Sequence, residues 1–222
     1  MGEGKYLDIS QYLNDGVISL ENLNIANSTI MALQMEWTKN SLDMKNCSLE
    51  NVVFENHCGR GSIEISDCKF TNCVFHDTLG NGKLDVKQSI FTNCTFERIC
   101  LNGTCDSSEI SQCKFFNCKF HQIDLKWKIE LFELELNGGK IDQLCLAGQQ
   151  YITGNRIFNM QIENMKMWGE FFNQNRIENV IFKDVVLTGN KGEAGTKQEN
   201  IFIDCDVKGL TFVEGTLGFD SL

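Results

Sequence analysis

Large apolar residues recur every five positions along nearly the whole chain, an interval at which neither regular secondary structure repeats. A helix returns to one face after about 3.6 residues and a strand after about two. A period of five therefore requires a bend in the backbone within each repeat. In CKFTNCVFHD, Cys68, Phe70, Cys73 and Phe75 set a small residue two positions before each large one. Ser89, Phe91, Cys94 and Phe96 repeat this 21 residues later, and Cys113, Phe115, Cys118 and Phe120 after a further 24.

Taking the large residue as the centre of a repeat, the same spacing joins Leu20, Ile25 and Ile30, then Met44, Leu49 and Phe54. It continues through Leu131, Leu136, Ile141 and Leu146, and after a slip of one residue runs from Ile152 through Ile162, Phe172 and Phe182 to Leu187. Phe202, Val207, Phe212 and Leu217 close the series. Two residues after most centres stands Asn, Asp or Gly, as at Asn22, Asn46, Asp67, Asn93, Asn117, Asn164, Asp204 and Gly209. These residues tolerate the left-handed backbone region and close local turns. The sequence thus supplies a turn for each pentapeptide.

The stretches CKFTNCVFHD, CKFFNCKFHQ and IENVIFKDVVL resemble those of the pentapeptide-repeat family. The resemblance runs from about Ile18 to Leu217 and implies an all-β fold, a right-handed quadrilateral parallel β-helix. The resemblance further implies one pentapeptide per side and four per coil, with the centre and the residue two before it facing inward. Breaks near Asp15, Glu36, Gly59, Gly80, Thr104, Trp127, Gly148, Gly169, Gly192 and Gly215 recur at 21 to 24 residues, slightly more than four bare pentapeptides. They read as insertions at one corner. The expectation is a single solenoid domain over residues 1–222, of about nine coils with short terminal caps.

Inside such a coil, Phe54, Phe70, Phe75, Phe91, Phe96, Phe115, Phe120, Ile162, Phe182 and Phe202 are expected to stack as the large layer of a filled core. Cys68, Cys73, Cys94, Cys113 and Cys118, with Cys47 and Cys205, form the small layer beside it. Free cysteine is a small, readily buried residue. The C-x₄-C spacing lacks the paired knuckles of a zinc or iron–sulfur site, so no metal or cofactor is expected. Cys58 and Cys105 lie in corner insertions and are the expected exposed thiols. The absence of proline fits a chain in which every backbone N–H is needed for coil-to-coil ladders.

His76, Glu97 and His121 each follow a centre by one residue, which should align them outward on adjacent rungs. Histidines two rungs apart are separated by roughly 9 to 10 Å, too far for one metal ion. The expectation is a solvated polar ladder. His57 falls at an inward position beside the CGRG break. TLGNGKLD and GNKGEAGTK lack the spacing of a phosphate-binding loop. The stretch KWKIELFELEL reads either as an extended corner whose Trp127 and Phe132 cover the side of the rod or as a local protein-contact patch. Trp37, Trp127 and Trp168 all fall near corners and mark one candidate interaction edge.

The formal net charge is −10 and only four arginines are present, which argues against direct binding of nucleic acid. No apolar run is long enough to span a membrane, and the first residues lack an export signal, so a cytoplasmic protein is expected. A solenoid offers long faces rather than pockets, and no catalytic constellation is present in the sequence. The reading is a non-enzymatic bacterial rod that binds an unassigned protein partner, as a monomer or a weak end-to-end dimer. The family resemblance carries an alternative: an acidic DNA mimic that modulates gyrase or another type II topoisomerase. Against this, the position before many centres holds Lys69, Val74, Lys114, Lys119 or Ile181, which should dilute any acidic stripe.

Overall fold

A computed structural model describes residues 5–7, 9–31, 41–55, 58–59, 62–80, 82–102, 108–126, 128–147, 150–169, 171–189 and 200–213. These residues form short strands that stack in parallel as a β-solenoid. The exceptions are one 3-10 turn at Ser10–Tyr12 and one antiparallel pairing, Leu13–Asn14 against Val17–Glu21. No helix among the described residues is long and apolar enough to cross a membrane.

Four faces follow one another around each coil. On face one, Val17–Glu21, Ser41–Lys45, Ile63–Ser66, Leu84–Lys87, Ser108–Ser111, Ile129–Phe132, Gln150–Thr153 and Phe171–Asn173 stack as eight successive rungs. On face two the centres Ile25, Leu49, Phe70, Phe91, Phe115, Leu136, Ile157, Ile177 and Phe202 pair in one line. Face three carries Ile30, Phe54, Phe75, Phe96, Phe120, Ile141, Ile162 and Phe182 in the same way. Face four runs from Gly59 and Gly80 through Leu101, Leu125, Leu146, Met167 and Leu187 to Phe212.

Steps between faces one, two, three and four keep a strict spacing of five, as in Val86, Phe91, Phe96 and Leu101. Extra residues enter only between face four and the next face one, where Leu101 precedes Ile110 by nine and Leu125 precedes Leu131 by six. KWKIELFELEL is therefore not an extended corner. Its centres continue the series on both sides of residue 127, and Phe132 lies partly exposed on face one between Ser111 and Thr153.

The turns have a uniform geometry. Asn22, Asn46, Asp67, Asn93, Asn117, Asn164 and Asp204 all have φ between 51 and 56°. Gln88, Arg98, Gln112, Gln122, Glu133, Gln143 and Gln174 adopt the same conformation although their side chains gave no sign of it. The position is imposed by the coil, which overrides a local preference of roughly 1 kcal/mol. Gly209 departs from the expected turn and lies outside the left-handed region. Its role is close approach: a Cβ there would lie 2.4 Å from the Phe182 carbonyl oxygen.

Phenylalanines build the core in two columns. On face three, Phe54, Phe75, Phe96 and Phe120 stack with centroids 4.6 to 4.9 Å apart. On face two, Phe70, Phe91 and Phe115 stack at 4.7 and 4.8 Å. Rings in different columns meet edge to face, as Phe91 meets Phe96 at 5.5 Å. The stacking interval is the ladder spacing of ~4.8 Å imposed by the backbone. Farther along, Ile162 and Phe182 are buried and Phe202 is partly buried.

The interior is not completely filled. Two apolar cavities of about 160 Å³ each lie along the axis, meeting at Ile110, Phe115, Phe120, Ile123 and Leu125. Beside the first, face four carries Gly59 and Gly80 in register with Leu101, so two of its rungs have no side chain to project inward. Stacked planar rings fill their own columns without filling the axis between them.

Candidate interaction faces

Each strand turns the residues on either side of its centre outward, so position in the repeat decides what the rod presents. On face one, the residue before the centre is acidic on five successive rungs. Asp43 pairs with Glu64, Glu64 with Asp85, Asp85 with Glu109 and Glu109 with Glu130. Lys83 reaches Asp85 at 2.7 Å, Lys87 reaches Glu109 at 2.9 Å and Lys128 reaches Glu130 at 2.5 Å. Asp43 and Glu64 form no ion pair among the described residues. Asp85 Oδ1 is buried and lacks a hydrogen-bond partner among the described residues. Hydrogen bonding from Ser111 and then Lys87 holds the Glu109 carboxyl below its ordinary range.

This ladder corrects the expectation of a diluted acidic stripe. The basic residues before a centre lie on other faces: Lys69, Lys114, Arg156 and Arg176 on face two, Lys119 and Lys140 on face three. Averaging over all centres concealed the segregation. Val86 and Ile110, the centres beside Asp85 and Glu109, were also missed because no phenylalanine marks them.

His76, Glu97 and His121 do align on adjacent rungs of face three. Each histidine has acidic partners. His76 lies 3.3 Å from Glu55 and 2.7 Å from Asp77, and His121 lies 3.2 Å from Asp142. Arg98 bonds both oxygens of Asp77, at 2.6 and 2.9 Å, and also contacts Glu97. Arg98 first, then His76, holds the Asp77 carboxyl well below the usual carboxylate range. Among the described residues no group of three or more His, Cys, Asp or Glu is arranged to hold a metal ion.

Trp168 lies on face four in Lys166–Gly169, its backbone opposite Thr188. Trp37, Trp127, His57 and Cys105 lie outside the described residues. Cys58 belongs to a short face-four strand opposite Leu79. Cys100 and Cys145, half-buried on face four with Asp124 between them, are partly exposed thiols that the sequence reading did not single out.

Five-residue sides, four to a coil and stacked in parallel, define a repeat solenoid. The fold is a quadrilateral β-solenoid of stacked five-residue sides. No family model matches it, and no curated protein matches it. Among solved structures, trypsin-treated QnrB1, a plasmid-mediated fluoroquinolone resistance protein, is similar at 15% identity, with 88% of this chain and 92% of that chain covered and a TM-score of 0.37. HetL, a pentapeptide repeat protein involved in heterocyst differentiation regulation from the cyanobacterium Nostoc sp. strain PCC 7120, is 9% identical over 89% of this chain and 92% of its own, with a TM-score of 0.35. Full-length QnrB1 is 14% identical over 88% and 94%, with a TM-score of 0.33.

Proposed function

We propose that the protein is a non-enzymatic interaction rod whose face one docks a cationic surface of a partner protein. The observation that carries this reading is the in-register carboxylate ladder from Asp43 to Glu130. Like charges directly opposite one another on paired strands are unfavourable, by up to roughly 1 kcal/mol per neighbouring pair at the rung spacing in water. Folding alone does not select five of them in a row. Complementary charge on a partner relieves that repulsion, speeds encounter and fixes the register of docking. Asp43 and Glu64, without a close ion pair among the described residues, make the amino-terminal end the stronger field, although Lys83 and Lys87 lie within electrostatic reach of Glu64.

Affinity capture from the native cell extract, run side by side with Asp43→Lys/Glu64→Lys, tests the reading. Partners retained by the wild-type rod should be lost from the variant and released by moderate salt. An identical set of retained proteins from both rods would refute it.

The same ladder supports a second reading, in which regularly spaced carboxylates stand in for DNA phosphates and occupy the basic channel of a type II topoisomerase. A supercoiling assay with purified gyrase separates the two. Inhibition or drug protection at micromolar protein, abolished in the double variant, favours mimicry; no effect removes it.

A further inference from the structure

Six buried cysteines share two inward columns at the corners flanking face two. Cys73, Cys94 and Cys118 immediately precede residues that pair directly, Val74 with Thr95 and Thr95 with Lys119, so they occupy one position on three adjacent rungs. Cys47, Cys68, Ser89 and Cys113 occupy the equivalent position on four rungs of the other column. All six thiols are at most 2% exposed, and none is in a disulfide.

The sulfurs of Cys73, Cys94 and Cys118 each lie between a carbonyl of their own coil, on Thr71, Thr92 and Phe116, and one of the coil before. Cys47 N–H donates to Cys68 Sγ at 3.3 Å, across one rung. The thiols of Cys73, Cys94 and Cys118 donate to carbonyls of the preceding coil, on Leu49, Phe70 and Phe91, at 3.5, 3.6 and 3.5 Å. Adjacent sulfurs of one column are therefore offset along the axis by about one rung, ~4.8 Å. Two collinear metal–sulfur bonds of ~2.3 Å span almost that distance.

We infer that the two thiol columns are binding sites for soft, two-coordinate divalent cations, one ion held between sulfurs on adjacent rungs of each column. Thiolate donors select soft d¹⁰ ions. No carboxylate or imidazole joins the sulfurs to complete a tetrahedral zinc site among the described residues. On binding, two thiols lose their protons to solvent, two sulfur–metal bonds form, and the divalent charge is cancelled by two thiolates. A neutral product suits an apolar core, where a net charge does not. Burial pushes Cys68 up to about 11, so an entering ion must bond sulfur strongly enough to displace the proton. Each column holds one ion. Cys94 cannot serve two linear ions at once, and Ser89 leaves Cys113 two rungs from Cys68.

The test uses the full chain, reduced, with Cys58, Cys100, Cys105, Cys145 and Cys205 replaced by Ser so that only the columns remain. Mercuric chloride is the probe, with uptake counted by native mass spectrometry and the fold followed by far-ultraviolet circular dichroism. Two ions should bind with the β signal intact. Cys94→Ser should reduce uptake to one, because Cys73 and Cys118 are two rungs apart, whereas Cys118→Ser and Cys113→Ser should leave it at two. Unchanged uptake in Cys94→Ser, or uptake accompanied by loss of the β signal, overturns the proposal. X-ray absorption on the parent protein tests it without the Cys94 variant: two sulfurs per ion support it, and any other coordination overturns it.

Discussion

Phe70 and Phe91, on adjacent rungs of face two, lie with ring centroids 4.7 Å apart and planes 2° from parallel. Phe91 also stacks on Phe115 and meets Phe75 and Phe96 edge to face, so four rings lose a neighbour if it is truncated. Adjacent rungs are tied by backbone ladders and cannot collapse into the gap. Phe91→Ala should cost ~3 to 5 kcal/mol of unfolding free energy. Urea denaturation checks this, and a loss below about 1.5 kcal/mol would mean that the neighbouring axial cavity lets the core relax.

Asn155 and Asn175 form the polar counterpart of these columns. Asn155 Nδ2 donates to the Leu131 carbonyl and to Asn175 Oδ1, both at 3.0 Å, and its Oδ1 accepts from Leu134 N–H at 2.8 Å. Replacing it with Ala strands buried backbone groups at about 1 to 3 kcal/mol each. The exposed ladder residue Asn51 bonds Asn27 and Asn72 through its side chain, and solvent can substitute for those bonds. Thermal denaturation should therefore show Asn155→Ala far more destabilised than Asn51→Ala. Equal losses would contradict the burial argument.

Gln122 holds φ at 54° on an exposed turn. A β-branched residue is strained there, and Gln122→Val should lower stability by ~1 to 2 kcal/mol, while Gln122→Asn should be neutral or mildly stabilising. Chemical denaturation of the two variants gives the comparison, and a stable Val variant would show that the coil does not require this conformation.

Acid should weaken the rod in a defined direction. Asp77 is held low by Arg98 and His76, Glu163 by Lys140, and Asp142 first by Asn164. As pH falls through about 4, the unfolded chain binds protons before these folded carboxylates do. The stability they supply is therefore present above that pH and lost below it, and solvent screening keeps each contribution modest. Melting temperature at low ionic strength should fall below about pH 4. Asp77→Asn should flatten the decline, and an unaltered slope would exclude this ion cluster as a cause.

The five-residue period identified the coil because sterics allow few ways to bury a large side chain at that interval. It marked Phe54, Phe70, Phe75, Phe91, Phe96, Phe115 and Phe120 as one inward layer, and the coil sorts them into two stacks. The period was less legible where the centre was Val86 or Ile110 and where the turn was Gln88 or Arg98. There the local sequence carries no aromatic or Asn signature, and neighbouring coils impose the conformation. The interaction faces were harder still to read, since residues brought side by side lie 21 or 24 apart in the chain.

By itself, the sequence determined the repeat, the inward side of each strand and the corner that takes insertions, because all three follow from local periodicity. Tertiary structure decided which outward residues become neighbours, gathering Asp43, Glu64, Asp85, Glu109 and Glu130 into one line and setting the lysines and arginines of face two on another. It also brought the thiols of separate coils into columns. Register between coils depends on the length of every insertion at once, and that sum is realised only when the backbone ladders close.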